Sequence, residues 1–245
     1  MHADQSSRRC FSTAGLDFDG DWGRQYTQTV ERVIPGYSAL FPMALAYLKA
    51  HLSPGARVLV VGAGGGAELA AFAQEPWHIT GVDPSSHMLA IARARWQQLT
   101  AQARVDLVCG EVADLPPGVS FHAATCILVM HFVPDDGTKA GFLHSIAARL
   151  KPGAPYVHVD WCDQLLDCES ELAWSIVRHY LAAVGAFASD EAIGRFLDQA
   201  KQGHPVPASR MTALFADAGF VDIQRFYQAF SYGGWCMKRG VSVLG

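Results

Sequence analysis

The residues in this sequence best suited to chemistry mostly follow apolar runs. Gly62, Gly64, Gly65 and Gly66 form a string in which four of five residues lack a side chain. Such a string turns sharply and exposes backbone N–H groups to a ligand. Asp83 follows Gly62 by 21 positions, a spacing at which a carboxylate can accept hydrogen bonds from ribose hydroxyls. Glu111 is a second acid after an apolar run, and His131 carries an imidazole, the side-chain type most often used as a general base. Its bland alternative is a packing residue at a strand end. Arg195 is a cation able to bind an acidic acceptor or a carboxylate, although a solvated arginine is the commoner case. Asp160, Cys162, Asp163, Asp167 and Cys168 suggest a metal, but neither they nor the cysteines at 10, 109, 126 and 236 have metal-ligand or C-x-x-C spacing. No metal is expected, and free thiols in a reducing cytoplasm are the simplest reading.

These residues need elements to position them. Residues 57–61 read RVLVV, a continuous apolar run of the kind a buried parallel strand shows, and the glycines end it. Residues 67–74 are helix-forming and carry Glu68 early, where an acid suits a helix N-terminus. Residues 78–82 are a second apolar run that ends on Asp83. Strand, glycine elbow, helix, strand and spaced acid together indicate an adenosine-bearing ligand. Further strands are expected at 104–109, 123–129 and 156–161. Helices are expected after Pro84-Ser85-Ser86, with Met88, Leu89, Ala92 and Leu99 at helical spacing, and over 139–150, closed by Lys151-Pro152-Gly153.

Five strand–helix alternations predict an α/β fold with a doubly wound, mostly parallel seven-stranded sheet, whose ligand crevice lies outside the carboxyl ends of the strands. Asp83, Glu111, residues 129–132 and residues 160–163 all fall at such ends. The chain divides into an N-terminal arm and cap helices (1–53), a cofactor-binding core (54–162), a helical insertion read as a lid (163–207) and a helix with two edge strands (208–245). In the insertion, Leu172, Ile176, Tyr180 and Val184 form a stripe expected to pack rather than react. Tyr26 and Tyr37 could line the pocket from the cap helices or be ordinary half-buried aromatics.

Half of the 245 residues are apolar and the formal charge is −4, which suits a globular domain and gives no footprint for a polyanion. Nucleic acid is not an expected partner; a small-molecule substrate and, at most, a second copy of the chain as a homodimer are. Ser7-Arg8-Arg9-Cys10-Phe11 has the outline of a twin-arginine signal, but residues 12–22 are polar, acidic and glycine-rich, so neither export nor membrane insertion is expected. A cytoplasmic location is.

The order of signals, from strand and G-x-G-x-G through GVD and GEVADLP to LKPG and a strand, resembles class I S-adenosylmethionine-dependent methyltransferases over about residues 56–162. The resemblance implies a Rossmann-like fold and S-adenosyl-L-methionine as cofactor. Gly62, Gly64 and Gly66, with Ala63, would then face the methionine part and Asp83 the ribose. Glu111 would meet the adenine amino group, the Val112 backbone the ring, and His131 would lie near the sulfonium side. Pro84, Met88 and Val129 complete the implied cofactor set. Val60 departs from the family, which usually carries an acid two residues before the first glycine, and Glu111 replaces a more frequent Asp.

A narrower resemblance joins both ends of the chain to carboxy-S-adenosylmethionine synthases. It rests on Ile34-Pro35-Gly36-Tyr37-Ser38 and on a tail with Ala218-Gly219-Phe220 and residues 226–233, FYQAFSYG. That family carboxylates the cofactor's methyl group using prephenate, and Arg195 falls near its carboxylate-gripping lid arginine. Its elbow keeps an acid and fewer glycines, and it carries Asn near Ile127. Two other readings stay open: a cofactor-binding protein without turnover, and an NAD enzyme, since Gly62, Gly64, Ala67 and Asp83 also satisfy a dinucleotide fingerprint. The leading reading is a methyltransferase acting on a small molecule.

Overall fold

The computed structural model describes residues 29–162 and 170–241. The expectations for the N-terminal arm, Tyr26, Asp163, Asp167 and Cys168 lie outside them. Among the described residues, β1 (Arg57–Val61), β2 (His78–Asp83), β3 (Arg104–Cys109), β4 (Ala123–Ile127), β5 (Pro155–Trp161), β6 (Phe220–Ala229) and β7 (Tyr232–Arg239) form one sheet. Its order is β3-β2-β1-β4-β5-β7-β6. The first five strands are parallel, and β7 inserts antiparallel between β5 and β6.

The helices are α1 (Tyr37–Lys49), α2 (Ala67–Ala71), α3 (Ser86–Gln97), α4 (Thr138–Arg149), α5 (Ser170–Ala183), α6 (Asp190–Ala200) and α7 (Ala208–Asp217). They cover both faces of the sheet, which is why β1 shows no polar alternation. Val58 and Val60 pack toward α1, α2 and α3, whereas Leu59 and Val61 pack toward α4 and α7. The Ser85 hydroxyl accepts the Met88 N–H at 3.1 Å and starts α3, as the Pro84-Ser85-Ser86 chemistry predicts. The helix after the elbow is shorter than its sequence suggests, ending at Ala71.

The expected stripe on α5 is corrected. Leu172 and Val184 are 60% and 43% exposed, while Ala173 and Leu181 are buried. The helix is therefore rotated from the face its largest aliphatic residues suggest, and Trp174, Val177 and Tyr180 turn toward a cleft between α5, α6 and the strand ends.

One buried cation secures the segment after β4. Lys139 on α4 is fully buried, and its ammonium donates to the carbonyls of Met130, at 2.7 Å, and His204, at 2.9 Å. The His204 N–H in turn donates to the His131 carbonyl at 2.7 Å. The 130–132 turn and the chain leaving α6 are thereby joined. Lys139→Met is expected to leave two buried carbonyls short of a donor and to lower stability by roughly 2 to 4 kcal/mol, read from urea denaturation midpoints. An unchanged midpoint would show that these contacts do not hold the turn.

Candidate cofactor and acceptor site

The elbow after β1 is fixed by backbone geometry first. Gly62, Gly64 and Gly66 have φ of +73°, +48° and +76°, conformations that favour glycine. The N–H groups of Gly62 and Ala63 both donate to the Val82 carbonyl, at 2.8 and 3.0 Å. A Cβ on Gly62 would lie 2.2 Å from a methyl carbon of Val129. Position 62 must therefore be glycine for space as well as for φ. Val129 seats against the elbow because the preceding Leu128 takes a left-handed φ of +62° on leaving β4.

Asp83 lies behind this turn, buried, and both its oxygens accept backbone N–H groups: Oδ2 from Gly64 at 2.8 Å and Oδ1 from Ser85 at 2.9 Å. A carboxylate oxygen can accept more than one hydrogen bond, so these contacts leave capacity for ribose hydroxyls. Glu111 stands on the neighbouring strand end: Cys109 is in register with Asp83, and the Gly110 N–H donates to the Asp83 carbonyl at 3.0 Å. The Glu111 N–H donates to Asp114 Oδ2 at 2.9 Å. Burial, and then the charge of Asp114, raise the Glu111 carboxyl above its ordinary value. Val112 and Met88 are buried beneath, and Pro84 is exposed at the rim.

Tyr37 opens α1 and is buried. Burial, followed by the charges of Glu31 and Glu68, pushes its hydroxyl up to about 12. Glu68 is buried on α2, and burial raises its carboxyl from 4.5 to about 7.

A second constellation forms where β4 and β5 end. Asp160 is fully buried. Its Oδ1 accepts from His131 Nδ1 at 2.5 Å and from the Trp161 N–H at 2.7 Å, and its Oδ2 accepts from the Met130 N–H at 2.6 Å. His158 Nε2 lies 3.6 Å from Oδ2. Burial alone would raise the Asp160 carboxyl, but the charge and hydrogen bond of His131, aided by those of His158, hold it well below the carboxylate range. With Nδ1 committed to Asp160, the other nitrogen of His131 is the one left to act on a ligand.

His131 lies on the wall of an open cleft with Trp161, Trp174, Tyr180, Phe196 and Tyr232. Among the described residues that line it there is no Lys, Arg, Asp or Glu. Burial raises the hydroxyls of Tyr180 and Tyr232 and keeps both protonated. Arg195 is elsewhere: it is exposed on α6 and pairs with Glu191 at 2.7 Å, while the next residue, Phe196, faces the cleft. One step along a helix is about 100°, enough to carry Arg195 outward.

Residues 58–153 match the family described as "Methyltransferase domain". Residues 58–153 are thus a methyltransferase domain of the class I S-adenosylmethionine-dependent kind. Over 119 residues it is 37% identical to the ubiquinone biosynthesis O-methyltransferase of Xanthomonas campestris pv. campestris (strain B100), covering 47% of each chain. Over 174 residues it is 28% identical to the carboxy-S-adenosyl-L-methionine synthase of Chromohalobacter salexigens, covering 68% of this chain and 62% of that one. The chain spans about half the length of these ubiquinone biosynthesis O-methyltransferases. A crystal structure of magnesium protoporphyrin IX methyltransferase from Synechocystis PCC 6803 with bound SAH superposes with a TM-score of 0.66 at 14% identity, covering 91% of this chain and 96% of that one. That likeness is one of fold.

The cofactor of this superfamily domain is S-adenosyl-L-methionine, and the NAD reading of the elbow is set aside. The residues present fit it. Gly62 and Gly64 are partly exposed without side chains, Asp83 and Glu111 stand on adjacent strand ends, and Glu68 is a buried carboxylate with an oxygen that makes no hydrogen bond. The sequence reading missed the roles of two residues. Asp160 was legible as an acid at a strand end facing the crevice, but its partnership with His131 needed β4 and β5 to pair. Glu68 was legible as a helix-start acid, with no signal that it would be buried.

Because the folded carboxyl of Glu68 titrates near 7 rather than 4.5, its burial penalty is absent below about pH 4.5 and fully present above about pH 7, where it amounts to about 3 kcal/mol. Glu68→Gln, measured without cofactor, is expected to gain stability relative to the parent protein as pH rises from about 5 to about 8. A difference in urea midpoint that stays constant over that range would contradict this.

Proposed function

We propose that this protein is a methyltransferase acting on an uncharged, largely apolar small molecule, with a hydroxyl as the methyl acceptor and His131 as its base. One observation carries the reading: an imidazole oriented by the buried Asp160 faces a cleft whose lining, among the described residues, is mostly aromatic and aliphatic and holds no Lys, Arg, Asp or Glu. When bound, S-adenosylmethionine supplies a methyl group already activated by its positive sulfur. The chain's own residues have the remaining tasks. The elbow, Asp83 and Glu111 bind and orient the cofactor. The aromatic wall excludes water and holds the acceptor in line. His131 removes the hydroxyl proton through the nitrogen not bonded to Asp160, and Asp160 stabilises the imidazolium that results.

In this reading α5 and α6 form a lid, the 163–207 segment being the part that determines the acceptor. Proximity to a ubiquinone-pathway O-methyltransferase supports hydroxyl methylation. The buried free thiols of Cys126, Cys162 and Cys236 support a reducing, cytoplasmic setting.

The carboxy-S-adenosylmethionine synthase reading has one observation in its favour. The Tyr227 hydroxyl of the tail donates to the Pro35 carbonyl, so the two short matching segments touch. Against it stand the outward Arg195 and a cleft wall that, among the described residues, has no Lys or Arg for prephenate's two carboxylates.

Incubation with S-adenosylmethionine and a panel of phenols and apolar alcohols, followed by mass spectrometry of products, is expected to give an O-methyl product. His131→Ala should lower kcat roughly a hundredfold or more while leaving cofactor affinity unchanged. Equal turnover by His131→Ala would remove the base role. A carboxylated nucleoside formed with prephenate, and no methylated acceptor, would instead establish the synthase reading.

A further inference from the structure

Glu68 is a charge-bearing group with no evident work in the fold. It is 5% exposed, in the layer between the sheet and α1. Its Oε1 makes no hydrogen bond, and neither does the hydroxyl of Thr125, although that hydroxyl lies close enough to favour the ionised carboxylate. Thr125 is in register with Val60, two positions before Gly62. Two buried polar atoms without partners therefore sit together behind the glycine elbow, near where β1 and β4 end.

Buried polar groups are normally satisfied, and a buried carboxylate without a donor is strongly disfavoured. The pair calls for a cation that carries N–H groups. Asp83 and Glu111 occupy the β2 and β3 side of the crevice, so a ligand whose ribose and adenine lie there extends its other end toward β1 and β4. S-adenosylmethionine has two cationic centres: the sulfonium has no hydrogen to donate, and the ammonium has three. Val60, moreover, is apolar where an acid is usual in the superfamily. A carboxylate delivered by α2 enters the same layer from the next element.

We propose that Glu68, with Thr125, receives the ammonium of the amino-acid end of S-adenosylmethionine. This rests on the cofactor assignment and concerns a residue that the glycine-and-acid pattern does not include. The neighbouring ionisable groups do not supply the missing partner. Tyr37 of α1 is kept protonated, Glu31 is a like charge, and Cys126 and Tyr156, both raised by burial, stay neutral. Arg95 of α3 directs its guanidinium to the Gly65 carbonyl at 3.5 Å.

Isothermal titration of the full chain tests this with two probes. S-adenosylhomocysteine keeps the amino-acid end, and 5′-methylthioadenosine lacks it. Glu68→Gln is expected to weaken S-adenosylhomocysteine about tenfold or more and to leave methylthioadenosine within about twofold. A second measurement needs no variant. At about pH 6 the Glu68 carboxyl must ionise to accept the ammonium, so S-adenosylhomocysteine binding should release about one proton and methylthioadenosine none. Titrations in buffers of different ionisation enthalpy read that number. Unchanged S-adenosylhomocysteine affinity in the variant, equal loss of both ligands, or the same proton release with both would overturn the proposal. Parent protein that binds neither nucleoside would overturn the cofactor assignment itself.

Discussion

The reversal of winding direction at β1 is the constraint on which the site depends. From β1 the chain winds outward through β2 and β3, then returns to build β4 and β5 on the other side. The connections leaving β1 and β4 therefore pass over opposite faces, and a crevice opens between them. What occupies its rim is then tightly restricted. The exit from β4 brings Val129 against the exit from β1, and a Cβ at position 62 would meet it at 2.2 Å. The glycine elbow is thus a packing requirement as much as a ligand cradle.

The crevice separates two kinds of chemistry by strand. On the β2 and β3 side, Asp83 and Glu111 are polar, and Asp83 is tied to backbone N–H groups, which suits a nucleoside. On the β4 and β5 side the groups are His131 and Asp160, and beyond them an aromatic cleft. Asp160 has a demanding position, since a fully buried carboxylate persists only when it is thoroughly paired. It collects the N–H groups of Met130 and Trp161 and the His131 imidazole. Satisfying that one charge fixes the turn after β4 and with it the imidazole's orientation. Lys139 fastens the same turn from the opposite face through carbonyls, so the imidazole is held by one buried anion and one buried cation.

The aromatic cleft follows different rules. Its walls come from α5 and α6, whose buried faces are set by fit against the strand ends and not by the largest aliphatic side chains. Leu172 is exposed while Trp174 and Tyr180 face inward. This is why the cleft is encoded in the least regular part of the chain, whereas the glycine elbow and its strands are encoded in the most regular.

The sequence alone determined the sheet, its parallel core, the glycine elbow after β1 and the placing of Asp83 at the end of β2. Those features rest on local signals: continuous apolar runs, glycines where φ is positive, and an acid at fixed spacing along a βαβ unit. The antiparallel pairing of β6 with β7 was legible too, because their turn lies within about twenty residues, but β7 lies inside the sheet beside β5 and only β6 is an edge. Tertiary structure decided what depends on contacts between distant segments. Asp160 meets His131 only because β4 and β5 pair in register, 29 residues apart. Arg195 turns outward and Phe196 inward because of how α6 packs. Glu68 becomes a buried acid with an unpartnered oxygen because α1 closes over it. Burial and pairing belong to the assembled fold, and no spacing along the chain encodes them.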